Sequence, residues 1–291
     1  MEPERIAERV WPDGVRSIEP LGGGITNRNF KVTLADGARV VLRIGGKDTE
    51  LLGIDRHVEH AATRAAAEAG LAPDVIAFVE PEGYLVTRFV EGCPVPVEEV
   101  RRPGALREIA GGLRRFHDGP AIPGRFDSFR VVEAYCATAT ARGVALPPAY
   151  GRAKEVADRI EQARGVQPPA PCHNDLLNAN FISDGERIWI VDWEYAGMGD
   201  RFFDLANFSV NHELSTEENE ELLRVYFGDV LEDDVRSLTL MRFMSDFREA
   251  MWGVVQQGLS ELEFDFAGYA ELHFERLRAT AADPAFREAL G

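Results

Sequence analysis

The run His173-Asn174-Asp175-Leu176-Leu177-Asn178-Ala179-Asn180, followed by Asp192-Trp193-Glu194, sets an acid, an amide and a second acid in one short stretch. Those residue types suit metal-assisted phosphoryl transfer. Asp175 can take the proton of an attacking hydroxyl, while Asn180 and Asp192 hold Mg²⁺ against nucleotide phosphates. Asp and Asn near Gly also form ordinary turns, and an Asp placed like Asp192 can cap a helix. The residues between them argue for function. Phe181-Ile182 is apolar, Asp184-Gly185 is a turn signal, and Ile188-Trp189-Ile190-Val191 reads as a buried strand. A hairpin closing at Asp184-Gly185 places Asn180 and Asp192 at its open end, one on each strand. Directly opposed residues in such a ladder lie about 5 Å apart, within reach of one cation.

What surrounds this stretch limits the alternatives. The chain has 291 residues, of which 45% are hydrophobic, which predicts a folded protein of two lobes with real cores. Its 49 acids against 32 bases give a net charge of −17, which disfavours nucleic acid or an anionic membrane as partner. Cys93, Cys136 and Cys172 lack Cys-x-x-Cys spacing, so they predict a reducing cytoplasm and no zinc site. Met1 to Arg5 has no signal core, and no apolar run approaches the ~20 residues that span a bilayer.

The elements needed to position the acids are legible. Ile6 to Trp11 reads as a short helix. A glycine-rich loop, Leu21-Gly22-Gly23-Gly24-Ile25-Thr26-Asn27, leads into strands at Asn29–Leu34 and Ala38–Ile44, joined by a turn at Asp36-Gly37. Asp55 to Gly70 is Ala-rich and ends in Gly, as a helix does. Val75–Val79 and Tyr84–Val90 are two more strands around Glu82-Gly83. After Glu91-Gly92-Cys93-Pro94, helices dominate: 103–117, 131–141, 150–163, 217–227 and 235–259, with the Asn180–Asp192 hairpin as the main β interruption. The expected architecture is α+β, with a small antiparallel β lobe over residues 1–90 and a larger helical lobe over 91–291.

This layout resembles the protein-kinase-like fold, and more narrowly the choline/ethanolamine kinase and aminoglycoside phosphotransferase families. The matching runs are Leu21 to Asn27, Val41-Leu42-Arg43, Arg56-His57-Val58-Glu59, His173 to Asn180, and Asp192 to Tyr195 with Arg201 to Asn207. The resemblance implies ATP and Mg²⁺ as cofactors, with Asp175 as catalytic base and Asn180 and Asp192 at the metal. It places nucleotide phosphates at Gly22, Gly23, Gly24, Thr26 and Asn27, because backbone N–H groups approach closely where no Cβ intervenes. Arg43 stands where protein kinases carry Lys, with Glu59 as its ion-pair partner and Lys47 as competitor. Arg88 and Val90 lie on the segment joining the lobes, where main-chain atoms can bond an adenine. His173 is read as bracing the loop, and Arg201 and Asp204 as fixing local structure, Asp204 by capping a helix or by bonding that loop.

The acceptor site is sought on the helix from Val235 to Leu259. Periodicity puts Leu240, Phe243, Phe247, Ala250, Met251 and Val254 on one face and Asp246, Glu249, Trp252 and Gln256 on the other. A Trp among acids suits a cationic head group, or else it is a solvated acidic face with Trp252 covered by a neighbouring helix. Tyr269 adds an aromatic wall by resemblance, and Glu194 and Asn211 complete the acceptor candidates, with Glu194 also read as a partner behind the metal site. Glu249 replaces an aromatic of the choline kinase cage and Asn211 replaces an acid, which points toward an amine with N–H donors or a larger cationic alcohol. The expected activity is transfer of the γ-phosphate of ATP to the hydroxyl of a small cationic alcohol, choline-like first. The alternatives are an aminoglycoside, thiamine or amino sugar on the same scaffold, and a nucleotide-binding regulatory protein without catalysis.

Overall fold

The computed structural model describes residues 2–22 and 26–291. Its first element, α1 (Pro3–Val10), begins before the predicted start because Pro3 suits the first helical turn. Five antiparallel strands follow: β1 (Val15–Leu21), β2 (Asn27–Leu34), β3 (Arg39–Gly45), β4 (Val75–Val79) and β5 (Tyr84–Arg88), in spatial order β1-β2-β3-β5-β4. Between β3 and β4 runs α2 (Arg56–Glu68), whose N-cap Asp55 accepts from the N–H groups of His57 and Val58.

The sheet has its own apolar cluster of Ile6, Val32, Val40, Leu42, Ile44, Tyr84 and Val86. Ala62 and Ala66 of α2 instead join the large core beyond the sheet, so the Glu59 helix is anchored to the helical part of the chain.

The rest is mostly helical. It contains β6 (Cys93–Pro94), α3 (Val97–Val100), α4 (Pro103–His117), α5 (Ser128–Ala141), α6 (Tyr150–Arg164), β7 (Ala170–Cys172), β8 (Phe181–Ser183), β9 (Ile188–Ile190) and β10 (Gly197–Gly199). Then come α7 (Arg201–Asn211), α8 (Thr216–Phe227), α9 (Glu232–Leu259), α10 (Phe266–Ala282) and α11 (Pro284–Leu290). The chain is therefore α+β as expected. Sequence patterning missed α3, α7, α10 and α11, and also the pairing of β6 with β8 and of β7 with β10.

One expectation about α9 is overturned. Its two faces are not core and solvent, because Asp246, Arg248, Glu249 and Gln256 are as buried as Phe243 and Phe247. The helix is enclosed by α5, α6, α7, α10 and α11. Its polar residues are tolerable there only if paired. Asp246 accordingly meets His273 Nδ1 at 2.8 Å and Arg276 Nε at 3.1 Å.

Candidate active site

The loop after β7 is held from beneath. Asn174 adopts a left-handed φ of 67°, unfavourable for a residue with a side chain. The turn it makes lets Asp204 of α7 accept the N–H groups of both His173 (2.7 Å) and Asn174 (2.6 Å). Asn207, one turn later, accepts from Leu176 N–H at 2.5 Å and donates to Ser245 Oγ of α9 at 3.0 Å. His173 Nε2 lies 3.0 Å from Val191 O, and its Nδ1 accepts from Asp175 N–H at 3.2 Å. That pattern assigns the neutral tautomer protonated at Nε2, and burial keeps the imidazole pKa down. His173 and Asp204 are braces, as expected.

Asp175 is almost buried, and Asn180 Nδ2 donates to its backbone carbonyl at 2.8 Å. Burial pushes the Asp175 carboxyl up to about 7, with Glu249 and Asp192 adding to the shift and Arg248 opposing it. A carboxylate poised near neutrality suits proton abstraction.

The hairpin forms, but its register differs from the expected one. Phe181 faces Ile190, and Val191 N–H bonds Asn180 O at 2.9 Å. Asn180 is therefore opposite Val191, and Asp192 comes one residue later, leaving the strand with a left-handed φ of 66°. Around Asp192 the charges form a chain. Arg43 Nη1 bonds both Asp192 and Glu59, the latter at 2.9 Å. Arg56 Nη1 bonds Glu59 at 2.7 Å and Glu194 at 3.2 Å. Asn27 closes the chain, donating to Glu194 at 2.8 Å and accepting from Arg56 Nη2 at 2.9 Å. Burial alone would lower the pKa of Arg43, but Asp192, Glu59 and Glu194 hold it above the ordinary guanidinium value. Burial pushes Glu194 up to about 8.

Two assignments change in consequence. Glu194, expected with the acceptor or behind the metal site, is bonded to Asn27 and Arg56, among the nucleotide-side candidates, which removes it from the acceptor set. Asn27 spends its side-chain amide on protein partners, so it ties the first sheet to the Asp192 segment.

The remaining nucleotide-side candidates are placed unevenly. Gly23 and Gly24 lie outside the described residues. Gly22 is exposed, and a Cβ there would meet nothing within 4 Å among the described residues. The close approach at this loop belongs to Gly46, where a Cβ would meet Thr26 O at 2.2 Å. Arg88 N–H is committed to Asp74 O at 2.8 Å, which leaves its carbonyl as the main-chain group it can offer. The Arg88 side chain lies over the Trp189 ring, 4.8 Å from its centre, and Val90 is buried.

Asn180 and Asp192 fit a hard cation. Because Asn180 spends Nδ2 on Asp175 O, its Oδ1 is the atom left to ligate. Two protein oxygens completed by phosphates and water are what Mg²⁺ ordinarily takes.

On the other side of Asp175 stands a group that sequence reading found only in part. Arg248 Nη1 bonds Asp175 Oδ1 at 3.0 Å and also bonds Glu249. Its guanidinium lies 4.3 Å from the centre of the Tyr195 ring. Tyr269 donates to Glu249 Oε2 at 2.8 Å, and Trp252 Nε1 donates to Tyr195 OH at 3.1 Å. Trp252 meets Tyr269 edge-on at 5.5 Å. Glu249, Trp252 and Tyr269 therefore come together, as expected. Asn211 does not join them, because its Nδ2 supports the catalytic loop at Leu176 O, 3.3 Å away.

The model of the phosphotransferase enzyme family matches residues 17–239 of this chain. The chain belongs to that family. A choline/ethanolamine kinase family protein from Mesorhizobium loti is 33% identical and superposes with a TM-score of 0.81 over 94% of this chain and 91% of its own. Mouse ethanolamine kinase 1 is 27% identical over 91% of this chain and 84% of its own length. LicA solved in complex with AMP shares the fold, at 23% identity and a TM-score of 0.77 over 95% of this chain and 96% of its own. The protein is thus a phosphotransferase of the choline/ethanolamine kinase type, with an alcohol group as acceptor.

In this phosphotransferase the residues that sequence reasoning missed are the counter-charges. Arg248 is 1% exposed and Arg56 bonds four residues. Arg56 stood inside a matching run, and Arg248 adjoined a candidate, but neither has a spacing signature. A buried trio of His117, Cys172 and Asp204 has its polar atoms within 4.8 Å of one another. Its hydrogen bonds are already made: Asp204 accepts the loop N–H groups, and His117 bonds Asp204 and Tyr226. We therefore read it as structural. A cavity of about 270 Å³ opens elsewhere, between Arg125, Arg164 and Met241, and contains none of the candidate site residues.

Proposed function

We propose that this phosphotransferase moves the γ-phosphate of ATP to the hydroxyl of a small cationic alcohol of the choline and ethanolamine class, in the cytoplasm. ATP lies between residues 1–90 and 91–291. Asp175 accepts the hydroxyl proton, the oxygen attacks the γ-phosphorus, and the bond to the β-phosphate oxygen breaks, releasing ADP. Asn180 and Asp192 would hold Mg²⁺, which when bound draws charge from the β- and γ-phosphate oxygens. Arg43 adds positive charge on the same side and is kept oriented by Glu59. His173, Asp204 and Asn207 fix the loop so that Asp175 needs no reorganisation during transfer.

The observation that carries this reading is the position of Asp175. One backbone bond ties it to the candidate metal amide Asn180, and one side-chain bond ties it through Arg248 to Glu249 and the Tyr269 and Trp252 rings. It stands between a phosphate side and an acceptor side. AMP bound to LicA supports an adenine nucleotide. Within the amine class, the geometry favours a head group with N–H donors over a quaternary ammonium. Arg248 already covers the Tyr195 face, and Glu249 offers carboxylate lone pairs rather than a ring.

ADP release with MgATP should be measured across ethanolamine, choline, thiamine, aminoglycosides and amino sugars. The reading expects turnover with amine alcohols and least with choline among them. Turnover confined to neutral sugars would reject it.

A further inference from the structure

Arg248 is a buried charge whose bonding is half complete. Nη1 uses both hydrogens, one toward Asp175 and one toward Glu249. Nε and Nη2 are buried and have no hydrogen-bond partner among the described residues. Those two atoms form the fork edge of a guanidinium, the edge that receives oxygen most strongly. A buried donor left unmatched is costly, and one on a cation more so. The same guanidinium holds Asp175 and Glu249 through Nη1 and lies 4.3 Å from the centre of the Tyr195 ring, whereas Arg43 and Arg56 take the contacts around Asp192 and Glu194. The free edge is therefore assigned to the acceptor side, beside Asp175.

Resting on the amine-alcohol reading above, we propose that Arg248 is a specificity residue: its free edge grips a second oxygen of the acceptor, so that the acceptor is a polyhydroxylated amine. Charge counting selects a hydroxyl over a carboxylate. Asp175 and Glu249 together exceed Arg248 by one negative charge, and the acceptor's ammonium cancels that excess. The adjoining Asp246 has its own partners, Arg276 at 3.1 Å and His273 Nδ1 at 2.8 Å, with Arg242 also close enough to act on it. A carboxylate on the acceptor would restore an uncompensated charge inside the protein, whereas a hydroxyl fills the donors without adding one.

The test compares 2-amino-1,3-propanediol with 2-aminopropan-1-ol, which differ by one oxygen, with serine as the carboxylate arm. In the wild-type protein kcat/KM should favour the diol by roughly 10- to 100-fold, the range for a hydrogen bond to a charged group, and serine should be poorer than the diol. In Arg248→Met, which keeps the aliphatic stem and removes the donors, the ratio of diol to mono-ol should fall to within about twofold of unity. Arg248→Lys should retain charge and recover only part of the ratio, because lysine lacks the fork. A purely structural role would lower both rates and leave the ratio alone. Equal wild-type kcat/KM for the two amines overturns this proposal while leaving the amine-alcohol reading intact, and needs no variant to fold. Preference for serine over the diol overturns the hydroxyl assignment. Absence of ADP release with every amine overturns the underlying reading and this proposal with it.

Discussion

Removing Arg248 should move the pH profile of the reaction toward alkaline pH. Asp175 is lifted to about 7 chiefly by burial, and Arg248 is the group that restrains the rise. The base form is the carboxylate, so kcat/KM for the acceptor should fall tenfold per pH unit below about 7 in the wild-type protein. The 3.0 Å bond from Arg248 Nη1 to Asp175 Oδ1 puts the charge centres about 4 Å apart. At an effective dielectric of about 20 that pair is worth about 4 kcal/mol, or about three pH units at 1.36 kcal/mol each. Water entering beside a methionine recovers part of this, so the acidic limb of Arg248→Met should shift upward by about one to three units. The assay is kcat/KM at saturating nucleotide across about pH 5 to 10, fitted for the midpoint of the acidic limb and not for the plateau height. Because the pair is buried, the shift should persist at high salt. A midpoint that stays put, or moves toward acid, would show that Arg248 does not govern the protonation of the base, and the assignment of Asp175 would fail with it.

Other outcomes follow from the same geometry. Asp175→Asn should cost roughly 10²–10⁴-fold in kcat with nucleotide affinity nearly unchanged, checked by ADP release and nucleotide titration; unaltered turnover would remove Asp175 from the chemistry. Arg56→Ala should cost about 1–3 kcal/mol in urea unfolding, because Glu59 and Glu194 lose a shared buried donor while Glu59 keeps Arg43 and Glu194 keeps Asn27; no measurable loss would contradict that. Trp252→Ala should raise KM for an amine about tenfold while kcat changes less, and Trp252→Phe should recover much of the difference. Glu194 sits near 8 in the folded protein against its ordinary value of 4.5 in the unfolded chain. Folding therefore binds a proton in that interval, and this group's stabilising contribution is complete below about 4.5 and lost as pH rises to about 8. Replacing Glu194 by Gln should flatten that part of the stability profile.

The acids and amide at the reaction centre were legible because their spacing is local. His173 to Asn180 lies on one loop, and the hairpin that returns to Asp192 announces itself by alternation and by Asp184-Gly185. The register was legible only to within one residue, since a left-handed turn at Asp192 has no sequence signal when the residue is not glycine. The long acidic helix was misread for a related reason. Periodicity assigns faces by asking which residues avoid water, and in α9 both faces avoid it.

That misreading explains why Arg248 was missed. Asp175, Glu59, Glu194 and Glu249 are recognisable from motif or resemblance, and each is buried deeply enough that a carboxylate is unstable without a cation nearby. Burial of an acid therefore predicts a cation, though not which one. Arg56 lies three residues from Glu59, on the same helix face, and Arg248 lies next to Glu249 and 73 positions from Asp175. The first could have been proposed from helical spacing. The second required the fold, because adjacent residues on a helix point about 100° apart and meet one ligand only when the whole helix is enclosed. In this phosphotransferase the enclosure of α9 lets consecutive residues, Arg248 and Glu249, bring a guanidinium and a carboxylate together beside Asp175, the arrangement assigned above to the acceptor. A substitution that exposes α9 at Ala250 or Gly253 should therefore impair acceptor selection before it impairs nucleotide binding.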